Sequence, residues 1–464
     1  MSSKSNESFR DSIGTIEKDG KRHWIFPKRP IGKLYNWRTY LSWVYLIVFA
    51  LLPWLKTNGH PIFLFNIFER KFILFGNIFW PQDFFLFVIG MLTFMVFIVL
   101  FTVIFGRLFC GWVCPQTIFM EMIFRKIEYW IEGDGDAQKR LNAQPWNSEK
   151  FMKRGGKIAL FILISFLIAH YFLAYLIGMD NVILYMKEGI LSHLETFVPL
   201  VIFTGIFSFV YLWFREQACI IVCPYGRLQG VLTDKDTVAV SYDYMRGETR
   251  GRFNRHEERT GGDCVDCYEC VKVCPTGIDI RNGTQMECVA CTACIDACDA
   301  IMEKFNFEKG LIRYASEANI ANKEKWTFTP RIKAYTAVLL ILLGVLTVLL
   351  FSRKEISTTI MRAQGQLYQM QGQDTISNLY NIKLVNKTFN DFQLNLKVLS
   401  SSSGSIKIVG KDLQVKKESV GDGVFFVEFP RSQLTKRKTE VEIGIFAGDK
   451  MVDKVKTNFM APVY

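Results

Sequence analysis

Twelve cysteines stand in tight groups between Cys110 and Cys298, and none occurs elsewhere in the 464 residues. Eight of them form two runs, Cys264-x2-Cys267-x2-Cys270-x3-Cys274-Pro275 and Cys288-x2-Cys291-x2-Cys294-x3-Cys298. This is the spacing of the bacterial two-cluster ferredoxins, written twice. A cubane needs four thiolates around a compact core. Three cysteines at x2 intervals wrap one corner region, and in such ferredoxins the last cysteine of each run serves the other cluster. One [4Fe–4S] cluster is therefore expected on Cys264, Cys267, Cys270 and Cys298, and a second on Cys288, Cys291, Cys294 and Cys274. The crossing locks the two halves together. Structural zinc is the competing reading, but its usual pattern is two separated CxxC pairs, whereas each run here has four cysteines. The second run ends Cys298-Asp299 where the first ends Cys274-Pro275.

Two further pairs repeat one another: Cys110-Gly111-Trp112-Val113-Cys114-Pro115 and Cys219-Ile220-Ile221-Val222-Cys223-Pro224. On a helix, positions i and i+4 turn both sulfurs the same way. Proline disfavours helical backbone in the residue before it, so each pair is expected where a helix ends or breaks. If the two helices pack together, four thiols converge, and thiolates are soft donors suited to Cu(I), zinc or iron–sulfur clusters. The bland alternative is four small apolar residues. Two matching copies beside a ferredoxin module favour a redox or metal role. His170 lies within an apolar run, where a histidine is a functional hypothesis by default, though helix packing could satisfy it. His60 and His193 fall in expected loops, and Met120, Met122, Met361 and Met370 are soft sulfurs that more often serve packing.

The elements that must hold these groups are membrane helices. Five apolar runs have about the 17–25 residues that cross the hydrocarbon layer: Thr39–Leu55, Phe84–Gly106, Ile158–Ile177, Phe197–Phe214 and Ala334–Phe351. The stretch His60–Trp80 is apolar but broken by Glu69, Arg70 and Lys71, and reads as an interfacial or re-entrant piece. Met1–Arg38 is polar and charged, so the first run is expected to stay as an anchor and not to be cleaved as a signal peptide. Lys and Arg crowd the N-terminal segment and residues 107–157, which places both in the cytoplasm. Counting runs then puts 215–333 inside and 352–464 outside. All twelve cysteines fall on the inner side, where thiols stay reduced.

The tail alternates apolar and polar residues through Tyr380, Ile382 and Leu384, through Phe392, Leu394, Leu396 and Val398, and through Val441, Ile443 and Ile445. Period-two alternation means half-buried strands, with Ser400–Ser405 and Gly421–Gly423 as separators and a hairpin at Gly448-Asp449. The expected fold is a small β-sandwich, read as a docking module without chemistry of its own.

Half of the residues are hydrophobic, 40 are Phe, and the formal net charge is +12. The length alone suggests two to four domains. A basic chain can bind nucleic acid, but these cations sit beside apolar runs and no nucleic-acid motif is present, so a membrane protein is the better reading.

At these motifs the chain resembles the cytochrome c oxidase accessory proteins called FixG, RdxA or CcoG. The matching text is CGWVCPQTIFMEMIFRKIEYWIEG (Cys110–Gly133), REQACIIVCPYGRLQ (Arg215–Gln229), DKDTVAVSYDYMRGETRGR (Asp234–Arg252) and Gly262–Arg313, over most of residues 35–320 and more weakly in the tail. The resemblance implies a protein of the bacterial inner membrane that supports assembly of cbb3-type oxidase by reducing Cu(II) to Cu(I). It implies copper or redox work at Cys110, Cys114, Cys219 and Cys223, two [4Fe–4S] clusters on the eight ferredoxin-type cysteines, and an immunoglobulin-like tail in the periplasm. The implied partners are the lipid membrane, copper ions, oxidase assembly factors or copper chaperones, and a cytoplasmic electron donor that the sequence does not identify.

The expected architecture is thus a multi-domain membrane protein. Its parts are a basic segment 1–38, a transmembrane domain 39–233, a two-[4Fe–4S] ferredoxin-like α+β domain 234–325, a fifth membrane helix 334–351 and an immunoglobulin-like β-sandwich 352–464. A quinone-linked electron conduit and a non-catalytic assembly scaffold are the alternative functions.

Overall fold

The computed structural model describes residues 15, 16, 19, 21–57, 59–253, 261–323, 327–365, 367–372, 374–400, 403–410, 413–434 and 436–462. Parts of the expected 1–38 segment, of 234–325 and of the Ser400–Ser405 separator lie outside them. The chain divides into two compact units. One joins residues 1–54 to 90–343, and the other joins 55–89 to 344–464.

Four helices among the described residues are long and apolar enough to cross a membrane: Phe84–Phe105, Ser148–Ile177, Ile190–Phe214 and Pro330–Phe351. Only 11% of the apolar window of the first and 6% of that of the last is buried in protein, which suggests a membrane protein. The first expected run, Thr39–Leu55, is outside this set. It is instead a helix, Lys33–Leu51, ending in the tight turn Leu52–Trp54. The helix starts earlier than its apolar residues do because its front end is a docking element. The Asp296 carboxylate accepts from the backbone N–H groups of Leu34 and Tyr35 at 3.1 and 2.7 Å, which caps the helix.

In the first unit the helices enclose short pieces. Leu108–Trp112 and Pro115–Ile118 follow Phe84–Phe105, and the chain runs on through a π-type stretch, Phe119–Phe124, into Arg125–Ile131. After the helices come Pro224–Leu232 and a two-stranded ribbon of Ala239–Tyr242 with Ile312–Ala315, antiparallel. The cysteine runs lie inside that ribbon, with the helices Glu269–Lys272 and Ala293–Lys304.

The second unit is a sandwich of two antiparallel sheets. One runs in the order Ser405–Val409, Val420–Pro430, Thr375–Asn386, Ile356–Arg362, with Gln369–Gln371 added to Thr375–Asn386. The other runs Leu413–Val415, Phe392–Val398, Lys438–Ala447, Lys450–Met460. The alternating residues named from sequence point inward: Tyr380, Ile382, Leu384, Val441, Ile443 and Ile445 are all buried in one core with Phe425 and Phe459. Gly448-Asp449 is a hairpin turn, as expected.

Two expectations fail in this unit. Gly421 and Gly423 are not a separator but lie in the strand Val420–Pro430, opposite Leu384 and Ile382. A Cβ on Gly423 would stand 2.3 Å from Leu413 Cδ2, so the glycine makes room for a side chain of the facing sheet. The stretch His60–Trp80, expected as an interfacial or re-entrant piece, is built of strands and not of a membrane helix. It is mostly a meander of Phe63–Asn66, Lys71–Leu74 and Asn77–Phe79. Its Glu69-Arg70-Lys71 break closes the first turn, and Leu64, Ile73 and Ile78 pack against Phe389. Ion pairs tie it to its own unit: His60 to Glu418 at 2.7 Å, Lys71 to Glu418 at 3.1 Å, and Asp83 to Arg353 at 2.9 Å and Lys387 at 2.5 Å.

Candidate functional site

The eight ferredoxin-type cysteines line two cavities of nearly equal size. Cys264, Cys267, Cys270 and Cys298 line one of about 340 Å³. Cys274, Cys288, Cys291 and Cys294 line the other, of about 350 Å³, and Cys270 lies on the wall between them. Cys298 thus lines a cavity with the first run, and Cys274 lines one with the second. Positive φ at Asp266 and Tyr268 in the first run, and at Ala290 and Thr292 in the second, gives both runs the same tight wrapping. Burial pushes the thiols of Cys270 and Cys288 up to about 12 and that of Cys291 to about 11. An empty thiol here keeps its proton, and binding metal must expel it. Among the described residues, no three His, Cys, Asp or Glu side chains gather at the spacing of a single metal ion.

The two CxxxCP motifs share one local structure. Cys114 and Cys223 both have extended backbone, with ψ of 124° and 113°, and each precedes the proline that starts the next helix. In each, the N–H of the second cysteine bonds five residues back, Cys114 to Phe109 O and Cys223 to Ala218 O, both at 2.9 Å. Each pair therefore sits where a helix breaks, as its proline predicts. The two motifs interlock. Tyr225, just past the second, packs on Cys110 and sets its ring edge-on to Phe109 at 6.2 Å. Gln116, just past the first, accepts from Tyr211 Oη at 2.9 Å. Gln229 donates Nε2–H to Cys110 Sγ at 3.5 Å and accepts from Arg107. The thiols are near enough to act on one another: burial raises Cys110, with Cys114 and Cys223 adding to it, and burial then Cys114 and Cys110 push Cys219 up to about 12.

The first motif also rests on the second cysteine run. Cys110 packs with Val289 and Cys291 in one buried cluster. A Cβ on Gly111 would stand 2.5 Å from Val289 O and 2.6 Å from Ala290 O, so only glycine permits this approach. Arg38, 3% exposed, bridges the two parts from Lys33–Leu51, donating to Gly111 O at 2.6 Å and Cys291 O at 3.4 Å. Trp112 Nε1–H donates to Tyr314 Oη at 3.1 Å, whose hydroxyl reaches Ala290 O at 3.4 Å. Arg107 donates to Met286 O.

A buried ion network holds the chain just ahead of the second motif. Arg215 clasps Glu128 with two bonds of 2.9 Å, Lys157 meets Glu132 at 2.9 Å, and Arg125 meets Glu121 at 3.1 Å and Glu216 at 3.7 Å. Burial alone would raise Glu128, but Arg215, Lys157 and Arg125 outweigh it and hold its carboxyl below the usual range. Arg215→Met is expected to remove the two-bond clasp, leaving Glu128 only its longer pairing with Lys157, and to cost up to about 3–5 kcal/mol. Thermal unfolding of the detergent-solubilised protein reads this. A midpoint no lower than that of the exposed-site control Lys139→Met would show the clasp to be dispensable.

Other sequence candidates have ordinary partners. His170 Nδ1 lies 2.9 Å from Phe166 O of its own helix, and its ring packs on Phe166. His60 pairs with Glu418, and His193 pairs with Glu188 at 2.5 Å and stacks on Tyr185. Met120 is buried, Met122 accepts from Thr39, and Met361 and Met370 lie exposed on strands. Arg38, Gly111 and Gln229 are missing from the sequence reading. Arg38 carried a signal, because a cation at the front of an apolar helix needs a partner.

Comparison with known proteins agrees with this layout. Residues 214–317 match a 4Fe–4S dicluster domain, residues 87–133 a 4Fe–4S binding domain, and residues 346–462 the Ig-like fold at the C-terminus of FixG. The nitrogen fixation protein FixG of Rhizobium meliloti is 31% identical over 87% of this chain and 83% of FixG. Protein RdxA of Cereibacter sphaeroides is 35% identical over 82% of each chain. A crystal structure of a FixG-related protein from Vibrio parahaemolyticus aligns with 23% of this chain and 97% of its own, at 19% identity and a TM-score of 0.21.

Proposed function

The chain belongs to the FixG family of iron–sulfur proteins, and from that premise we propose that it is an inner-membrane electron-transfer protein that reduces Cu(II) to Cu(I) for maturation of a cbb3-type oxidase. The observation that carries this reading is the seating of the first CxxxCP turn on the Val289–Cys291 backbone. The two cysteine-lined cavities would each hold a [4Fe–4S] cluster, which when bound stores and passes single electrons. Cys267 is exposed on the far side of the first cavity and is where a cytoplasmic one-electron donor has access. Arg38, Gly111 and the Trp112–Tyr314 bond keep the membrane thiols against the second cavity. Cu(II) that arrives at this membrane end takes up one electron and becomes Cu(I). The one-electron step itself breaks no covalent bond.

The same reading has five membrane crossings. The helix Lys33–Leu51 carries the first apolar run, and its 19 residues are about 28 Å long at 1.5 Å per residue, close to the thickness of the hydrocarbon layer. In this reading the cysteines face the cytoplasm and the β-sandwich the periplasm.

A second reading has one observation in its favour. A cavity of about 650 Å³, lined by Gly106, Arg107, Gln229, Gly230, Met286 and Cys288, opens beside the helix Pro224–Leu232, which turns Leu228 and Val231 outward. The carbonyls of a membrane quinone could accept from Arg107 there. One experiment separates the two. Reduced, desalted protein is mixed anaerobically with Cu(II) or with a short-chain quinone, and Cu(I) is read with a Cu(I) chelator. Cu(I) is expected from wild type and only background from the variant with Cys110, Cys114, Cys219 and Cys223 as serine. Equal rates from both proteins would end the copper reading, and cluster oxidation by quinone alone would favour the second.

A further inference from the structure

We propose that Cys110, Cys114, Cys219 and Cys223 together hold a third [4Fe–4S] cluster, shared between the two CxxxCP motifs. The inference rests on the electron-transfer reading and names what carries the electron at its membrane end. Cysteine arithmetic comes first. A cubane takes four thiolates. Residues 87–133, which match a 4Fe–4S binding domain, contain only Cys110 and Cys114. The other two ligands must come from outside, and the eight ferredoxin-type cysteines already line their own two cavities. Cys219 and Cys223 are the remaining pair among the twelve.

Geometry brings the two pairs together. Tyr225 behind Cys223 packs on Cys110, Gln116 behind Cys114 bonds Tyr211 ahead of Cys219, and Gln229 joins Cys110 to Arg107. A Cβ on Gly226 would meet the Arg107 guanidinium and Cys219 O, each at 2.6 Å, so the two breaks are pressed against each other. Two further features suit an anionic cluster with four thiolates: the Gln229 N–H donated to a ligand sulfur and the Arg107 charge beside it. Cys110 and Cys291 belong to one buried side-chain cluster, which would set this cubane next to the second cavity.

The test counts clusters in the full-length protein, purified anaerobically and reconstituted with iron and sulfide. Native mass spectrometry is expected to show a species with three clusters, and iron analysis about twelve atoms per chain. The variant with Cys110, Cys114, Cys219 and Cys223 as serine is expected to stop at two clusters and about eight atoms. Wild type that never exceeds two clusters overturns the proposal, whether or not the variant folds. A three-cluster protein that leaves Cu(II) untouched keeps this inference and loses the proposed function. A two-cluster protein with cysteine-dependent copper reduction does the reverse.

Discussion

Cys274→Ser is expected to destroy the cluster of the second run and leave that of the first. Cys298→Ser should do the opposite. Each loses about four iron atoms. The sign is unusual, because each substitution harms the cluster whose other three ligands are on the far run. Cys274 lines its cavity with Cys288, Cys291 and Cys294, and its sulfur lies 3.3 Å from Thr276 Oγ1. Cys298 lines the other with Cys264, Cys267 and Cys270, and burial first, then Cys270, Cys267 and the nearby Asp299 and Cys264, raise its thiol. Cys294 and Cys298 share the helix Ala293–Lys304. Four residues advance about 6 Å along such a helix, so one element serves two cubanes. EPR of the reduced protein decides the matter. The signal left in Cys274→Ser should match that left in Cys288→Ser, and Cys298→Ser should match Cys264→Ser. If Cys274→Ser instead matched Cys264→Ser, each run would serve its own cluster and the crossing would be wrong.

The cysteine chemistry was readable in the sequence because it is local. Ligand spacing within a run is set by a few bonds of backbone, and so is the break that Pro115 or Pro224 imposes on the helix before it. The sandwich strands were readable for the same reason, since Tyr380, Ile382 and Leu384 declare their buried face by alternation. What failed depended on distant partners. Gly421 and Gly423 look like a turn until Leu413 and Val415 of the facing sheet fill the space above them. Lys33–Leu51 looks like a late-starting membrane helix until Asp296 caps its front end from 262 positions away. His60–Trp80 looks like a broken span because a half-buried meander is as apolar as a short helix, and only Phe389 and Glu418 show which face is covered. Gln229 gives no signal at all, since its meaning lies in the Cys110 sulfur it touches.

Gly111→Ala tests the contact on which the electron route depends, and it is expected to slow Cu(II) reduction by about tenfold or more while the ferredoxin-type clusters stay loaded. The added methyl group meets backbone, not a flexible side chain: Val289 O at 2.5 Å and Ala290 O and C at 2.6 and 2.8 Å. Neither carbonyl can swing aside, because the loop is pinned by Arg38 to Cys291 O and by Tyr314 to Ala290 O. The CxxxCP turn must therefore lift away. Overpacking of this kind costs roughly 1–3 kcal/mol, which an anchored turn survives. A displacement of about 1 Å between reacting groups is enough to cost on the order of a hundredfold in rate, so tenfold is a conservative expectation. Gly155→Ala is the control, since nothing stands within 4 Å of its Cβ in the helix Ser148–Ile177, and it should behave as wild type. Arg38→Met should act in the same direction as Gly111→Ala, because it frees Gly111 O and Cys291 O from their shared donor. Single-turnover oxidation of the reduced protein by Cu(II) measures both. If Gly111→Ala transfers electrons at the wild-type rate, the seating of that turn is packing alone, and the electrons leave the ferredoxin module by another face.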